Sequence, residues 1–229
     1  MKAVLRTGFG GPEVLTPGEH PAPTPTAGEV LIEVKAFGIN HAELHMRRGE
    51  WPEAAAVSGI ECAGVERACP GAEFRVGQKV VALMGGMGRT RDGSYAEQTC
   101  VPASNVVAVD SDLSWEELAA LPESYATAWA CLQGNLGLEA GQTLLVRGAT
   151  SALGQAAVNV AVHRGARVLA TTRRRERLAL LHRLGAQHAL IDTGILDDEF
   201  VFYVLKKKRV DGSAVVSEEV SARKRDVAF

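Results

Sequence analysis

The chain has 229 residues, 25 basic and 27 acidic side chains, a formal charge of −2, and 46% hydrophobic against 23% charged residues. Near-neutrality, with three Trp, three Tyr and six Phe, excludes the electrostatic footprint of a nucleic-acid binder. No apolar run approaches the roughly 18 residues of a membrane span, and the N-terminal MKAVLRTGFGG lacks the apolar stretch of a signal peptide, so the expected setting is cytoplasmic, without a membrane partner.

All nine prolines lie between Pro12 and Pro122, and fifteen of the 24 glycines precede residue 100, so the front half is rich in turns. Between those turns run short stretches with the strand period. In residues 30–36, Val30, Ile32, Val34 and Ala36 share one face while Glu33 and Lys35 share the other. Similar runs at 2–6, 61–68, 79–84, 94–101 and 106–109 predict an antiparallel β domain. Cys62, Cys69, Cys100 and Cys131 contain no C-x-x-C pair and read as reduced, small hydrophobic residues.

From Ser114 the period becomes helical. Ser114 and Glu117 have capping-box spacing, in which each side chain satisfies an otherwise unpaired backbone N–H at a helix start. A further helix is expected over 123–133, which places a domain boundary near residue 123 and divides the chain into 1–123 and 124–229.

The back half opens on an apolar strand at 143–146, a small-residue loop at 148–154 and an apolar helix to 163. A second strand follows at 167–172, then an amphipathic helix over 174–184 stopped by Gly185, then a third strand at 188–192. Strand–helix alternation of this kind is half of a doubly wound parallel sheet, an α/β Rossmann arrangement. The 37 residues after Asp192 contain fourteen charged residues, including the basic runs 206–209 and 223–225. There a strand or helix turn is expected at 201–205 and a fourth strand around 212–216, with the exposed sheet edge needing cover from the tail or a partner.

The loop GATSALG at 148–154 carries the most specific chemistry. Small residues between a strand and a helix let the backbone approach a pyrophosphate, and the free N–H groups and positive dipole of the helix start complement its charge. Gly148, Thr150, Ser151, Ala152, Leu153 and Gly154 are the expected cofactor-binding residues, although Ser151 stands where a G-x-x-G-x-x-G register has its middle glycine. At the end of the second strand an NAD site usually carries an acid for the ribose 2′-OH. This chain has Thr171, Thr172, Arg173, Arg174 and Arg175 there. Hydroxyls and guanidinium forks suit a 2′-phosphate, so the expected cofactor is NADP(H).

These residues, with GINHAE at 38–43, GIECAG at 59–64, GQKV at 77–80, DGSYAE at 92–97 and ATAW at 126–129, resemble the medium-chain dehydrogenase/reductase superfamily and its quinone oxidoreductase branch, related to zeta-crystallin. The resemblance runs from Met1 to about Asp192. It implies a GroES-like β-barrel catalytic domain before a Rossmann domain, with a cleft between them. Zinc alcohol dehydrogenases of this superfamily carry a cysteine where this chain has Asn40 and a histidine where it has Ile60, so the resemblance implies zinc-free chemistry. His41 and His45, four apart, could share a helix face, but HAELH is not H-E-x-x-H and lacks an evident third ligand. Hydride transfer from NADPH to a quinone or an α,β-unsaturated carbonyl is the implied reaction. By resemblance, Asn40 lies beside the nicotinamide, Thr127 lies near the cofactor, and His45 stands where relatives carry a cleft tyrosine. Tyr95, His45 and Tyr125 are candidates for lining the cleft or donating a proton. Relatives pair as homodimers along Rossmann edge strands. The tail resembles nothing in the family, so the chain reads as a truncated member lacking the strands that border the nicotinamide. The competing reading is a non-catalytic nucleotide-binding or interaction remnant.

Overall fold

The computed structural model describes residues 1–51, 53–194, 200–210 and 214–223, and within the last two stretches only the Phe202 and Val204 side chains. The chain divides into two compact units, Met1–Glu123 and Ser124–Phe229.

In the first unit β1 (Lys2–Arg6) pairs antiparallel with β2 (Leu15–Glu19). A five-stranded antiparallel sheet follows, built from β3 (Glu29–Ala36), β4 (Glu61–Ala68), β5 (Lys79–Leu83), β6 (Gln98–Pro102) and β7 (Val106–Ala108) in the order β6-β3-β4-β5-β7. Helix α1 (His41–Arg48) connects β3 to β4, and α2 (Trp115–Ala119) follows β7. The period-2 alternation turns Val30 and Ile32 inward, against Cys62, Val80, Ala82, Val101 and Val106. The capping box at α2 forms as its spacing requires: the Glu117 N–H donates to Ser114 Oγ at 3.2 Å and the Ser114 N–H to Glu117 Oε2 at 3.0 Å.

One inward position on β4 breaks the apolar pattern. Glu66 lies opposite Ile32 in the ladder and is fully buried. Among the described residues neither of its carboxylate oxygens has a hydrogen-bond partner.

The second unit starts with α3 (Pro122–Trp129), whose first residues close the first unit, and passes into a wider π turn over Ala130–Asn135. There the Leu136 N–H reaches back five residues to the Cys131 carbonyl at 3.0 Å. Next come β8 (Thr143–Val146), α4 (Ala152–His163), β9 (Arg167–Thr172), α5 (Leu178–Arg183) and β10 (His188–Ile191). Strands β8, β9 and β10 are parallel neighbours, and α4 packs Ala156, Ala157, Val158 and Ala161 against them. The expected helix over 174–184 is shorter: Arg175–Arg177 form a single 3-10 turn before α5.

The tail differs from the sequence expectation. A long strand, β11 (Phe200–Val210), lies against β8, and β12 (Ala214–Arg223) lies outside it, giving the order β10-β9-β8-β11-β12. Both new pairings are antiparallel. The expected turn or strand at 201–205 thus lies within a strand of eleven residues. The expected strand around 212–216 is realised from Ala214 onward, and its first two positions lie outside the described residues. Phe202 and Val204, two apart, drop fully buried into the same core as Leu144 and Val146, so alternation fixes the register and the free edge of β8 is covered.

A buried carboxylate without a partner costs several kcal/mol unless it is neutralised. Glu66→Val keeps the volume and removes the polar group, and should raise the thermal midpoint by at least about 3 °C in a scanning melt, given about 2–4 °C per kcal/mol for a chain of this size. A lowered midpoint would show that the carboxylate is satisfied.

Candidate functional site

In the second unit the turn from β8 into α4 is held by β9. The Ala149 N–H donates to the Thr171 carbonyl at 2.9 Å, and the Gly148 N–H donates to Thr171 Oγ1 at 3.3 Å. Gly148 has a φ of 58°, in the left-handed region, and open space where a side chain would project. Ser151 caps α4, with Oγ accepting from the Gly154 N–H at 3.0 Å. The backbone N–H groups of Thr150, Ala152 and Leu153 have no hydrogen-bond partner among the described residues. These are the orphan donors of a helix start, groups of the kind that can hold an anion.

Beside this turn, Thr172 Oγ1 accepts from the Arg174 N–H at 3.2 Å. Thr171 and Thr172 are buried, whereas Arg173, Arg174 and Arg175 are exposed. The two hydroxyls therefore fix backbone, and the guanidinium groups are the part of the expected ribose-phosphate set that faces outward. Arg147, just after β8, donates from Nε to Asp192 Oδ2 at 3.1 Å, and the Gly194 N–H donates to Asp192 Oδ1 at 2.9 Å. The Gly194 N–H first, then Arg147 and Arg173, hold the Asp192 carboxyl below its ordinary range.

In the first unit Asn40 is the N-cap of α1 and the hub of a buried acidic cluster. Its N–H donates to Glu43 Oε2 at 2.7 Å and its Nδ2 to Glu61 Oε1 at 2.7 Å. Glu43 Oε1 accepts from the Ile60 N–H at 3.2 Å, and Glu61 Oε2 from the Glu123 N–H at 2.8 Å. Gly38 has no side chain because the Glu61 carboxylate fills the space where a Cβ would stand. Burial pushes Glu43 up to about 7 against the pull of its backbone donors, and burial raises Glu61 as well. Tyr95 is buried, its ring 4.4 Å from that of Phe37. Burial, then the charges of Glu43 and Glu61, raise its phenol above the ordinary value.

A family model for the alcohol dehydrogenase GroES-like domain matches residues 26–111. Over 218 residues the chain is 30% identical to the quinone oxidoreductase of Pongo abelii, covering 93% of this chain and 63% of that protein. It is 33% identical over 161 residues to the synaptic vesicle membrane protein VAT-1 homolog-like of Mus musculus, covering 68% of this chain and 37% of that one. The solved structure of a mycobacterial protein complexed with NADPH superposes with a TM-score of 0.72 at 31% identity, over 85% of this chain and 58% of that one. The chain belongs to the medium-chain dehydrogenase/reductase superfamily. Its first unit is the GroES-like domain and its second a partial Rossmann domain. It spans between about a third and two thirds of the length of these relatives.

Within this superfamily member the expected residues fall into separate groups. Gly148, Thr150, Ser151, Ala152, Leu153 and Gly154 lie together at the β8–α4 turn, beside Thr171, Thr172, Arg173 and Arg174. In the first unit Asn40 bonds both Glu43 and Glu61, while Tyr95 packs on Phe37 within the influence of those two charges. His45 lies apart from it: its Nδ1 pairs with Glu50, and its ring stacks on Trp51 with centroids 6.2 Å apart. Thr127 is buried on α3, and the Tyr125 hydroxyl accepts from Asn159 Nδ2 at 2.9 Å. Sequence reading singled out neither the two glutamates nor the Arg147–Asp192 pair. The glutamates lie inside recognised motifs, so their only further signal was the N-cap spacing of Asn40 and Glu43. Arg147 and Asp192 stand 45 positions apart and carry no local signal. Among the described residues no three His, Cys, Asp or Glu side chains group as metal ligands, and no helix is long and apolar enough to cross a membrane.

Glu43 keeps its proton in the folded chain up to about pH 7 and releases it near 4.5 when unfolded. Its contribution is complete below pH 4.5 and is lost as pH rises through about 7, on the order of 3 kcal/mol at most. Thermal melts should therefore show the midpoint falling between pH 5 and 7, with Glu43→Gln flattening that slope. An equal slope in the variant would assign the effect to other groups.

Proposed function

We propose that this chain is a zinc-independent, NADPH-dependent oxidoreductase acting on a quinone or an α,β-unsaturated carbonyl. The observation that carries the reading is the β8–α4 turn, with three backbone donors at the start of α4 that have no partner among the described residues, and an exposed arginine trio one strand away. The Thr150, Ala152 and Leu153 N–H groups grip the diphosphate, and Gly148, open above its Cα, lets it come close. Arg173 and Arg174 select the 2′-phosphate, while Thr171 and Thr172 hold the backbone that presents them. When bound, NADPH supplies the hydride.

The chemistry of the side chains supports a metal-free site. Asn40 offers an amide whose nitrogen is committed to Glu61, and Ile60 is a buried alkyl group; neither replaces a zinc ligand. Asn40, held by Glu43 and Glu61, is a fixed polar group of the first unit available to the reaction. Tyr95, its phenol kept protonated, serves as a hydrogen-bond donor to the oxygen that gains charge. Thr127 contacts the cofactor, and His45, tied to Glu50, lines the substrate approach. The widely spaced cysteines, with no C-x-x-C pair, fit reduced side chains in a cytoplasmic protein.

A second reading, nucleotide binding without turnover, is favoured by one observation. In an open α/β sheet, ligands bind outside the carboxyl ends of the strands. Antiparallel β11 puts its amino end there, at the place beside β8 where a further parallel strand would present its carboxyl end.

Mixing the chain with NADPH and a simple quinone, alongside a melt with NADPH, separates the readings. Loss of NADPH absorbance together with a raised midpoint is the expected outcome. A raised midpoint without oxidation selects the second reading, and neither effect contradicts both. Arg173→Ala combined with Arg174→Ala should weaken NADPH binding at least about tenfold and leave NADH binding nearly unchanged.

A further inference from the structure

Glu61 meets two donors that belong to different elements. It opens β4 and is 2% exposed. Its Oε1 accepts from Asn40 Nδ2 at 2.7 Å, just ahead of α1, and its Oε2 accepts from the Glu123 N–H at 2.8 Å, in the first turn of α3. Both oxygens act as acceptors, which is the pattern of a carboxylate rather than of an acid. Burial raises this carboxyl, and the bonds from Asn40 and Glu123 pull against that rise. The group is also confined: it fills the space where a Gly38 Cβ would stand, and the Glu61 carbonyl accepts from Ser94 Oγ at 2.6 Å.

The consequence falls on Asn40. An amide can stand in either of two flips, and the partners of its two ends decide which. A carboxylate only accepts, so Glu61 takes the nitrogen of Asn40 and not its oxygen. Glu43 Oε2 holds the Asn40 backbone N–H at 2.7 Å, so backbone and side chain are each bound by a buried acid. The Glu123 N–H belongs to the main chain and cannot flip, and it holds the other oxygen of Glu61 in place.

Resting on the oxidoreductase reading above, we propose that Glu61 is a positioning residue for the reaction: one carboxylate, shared between the Asn40 amide and the first turn of α3, sets the single orientation in which that amide takes part. Its role is exerted through Asn40.

Glu61→Gln keeps the shape of the side chain and replaces one acceptor by a donor. The Glu123 N–H can pair only with the remaining oxygen, so the introduced nitrogen faces the Asn40 nitrogen and the amide loses its hold. Adding Asn40→Asp gives that nitrogen an acceptor, reverses the polarity of the bond and returns the net charge to its original value. Wild type, Glu61→Gln and the double variant are compared as full chains by thermal melt, calorimetric titration with NADPH, and NADPH oxidation by a simple quinone. Glu61→Gln should lower kcat at least about tenfold while NADPH affinity stays within about twofold of wild type, as expected when only turnover needs the interaction. The double variant should regain most of the lost thermal midpoint but none of the lost turnover, because its polar groups are paired while the amide is gone. Turnover of folded Glu61→Gln within about twofold of wild type would overturn the proposal. So would turnover that returns with the midpoint in the double variant, the result of a purely structural role. Should Glu61→Gln not fold, wild type decides by NMR: couplings across the hydrogen bonds from Asn40 Nδ2 and from the Glu123 nitrogen to the Glu61 carboxyl carbon are expected, and absence of the Asn40 coupling would overturn the proposal. Wild type that binds NADPH without oxidising it overturns the oxidoreductase reading and this proposal with it, an outcome distinct from turnover that is indifferent to Glu61.

Discussion

The second unit depends on how closely α4 starts against the turn that precedes it. A Cβ on Gly154 would lie 2.6 Å from the Ala149 Cα and 2.7 Å from the Gly148 carbonyl oxygen. Only glycine lets the first turn of the helix rest on the loop. That contact brings Ser151 into capping position and leaves the next donors facing outward. Thr171 completes the arrangement by anchoring the loop to β9 through both its carbonyl and its hydroxyl. The geometry of the turn thus follows from one missing methyl group and one threonine, without any charged side chain of its own.

The first unit uses the same device for a different purpose. The missing side chain at Gly38 makes room for the Glu61 carboxylate, and Asn40 then joins Glu61 to Glu43 at the start of α1. Two acids so close, and so little exposed, are held by backbone donors rather than by cations. Burial raises their proton affinity against the pull of those donors, and the cluster is rigid because each of these oxygens has a named donor. Each unit carries its own chemistry: donors and arginines in the second, acids and an amide in the first.

Much of this was legible before any coordinates. Alternation in 30–36, the Ser114–Glu117 spacing and the strand–loop–helix at 143–163 are local patterns, and local patterns survive folding. The direction of β11 was not legible, because Phe200–Val210 has the same alternation whether it runs parallel or antiparallel to β8. Nor were the backbone partners of Thr171 and Thr172 legible: their hydroxyls accept from the Gly148 and Arg174 N–H groups, contacts that only the folded turn brings about. His45 is a similar case, since the partner that claims it, Glu50, lies past the end of α1. Arg147 and Asp192 meet only because the sheet order places β9 between their strands.

The central claim is that backbone donors at the β8–α4 turn hold a nucleotide diphosphate while arginines after β9 hold its ribose phosphate. Amide chemical-shift mapping of the isotope-labelled full chain with NADPH tests it most directly. The account predicts saturable shifts concentrated at residues 148–154 and 171–175. Saturable shifts confined to other parts of the chain, or no shifts at millimolar nucleotide, would contradict it.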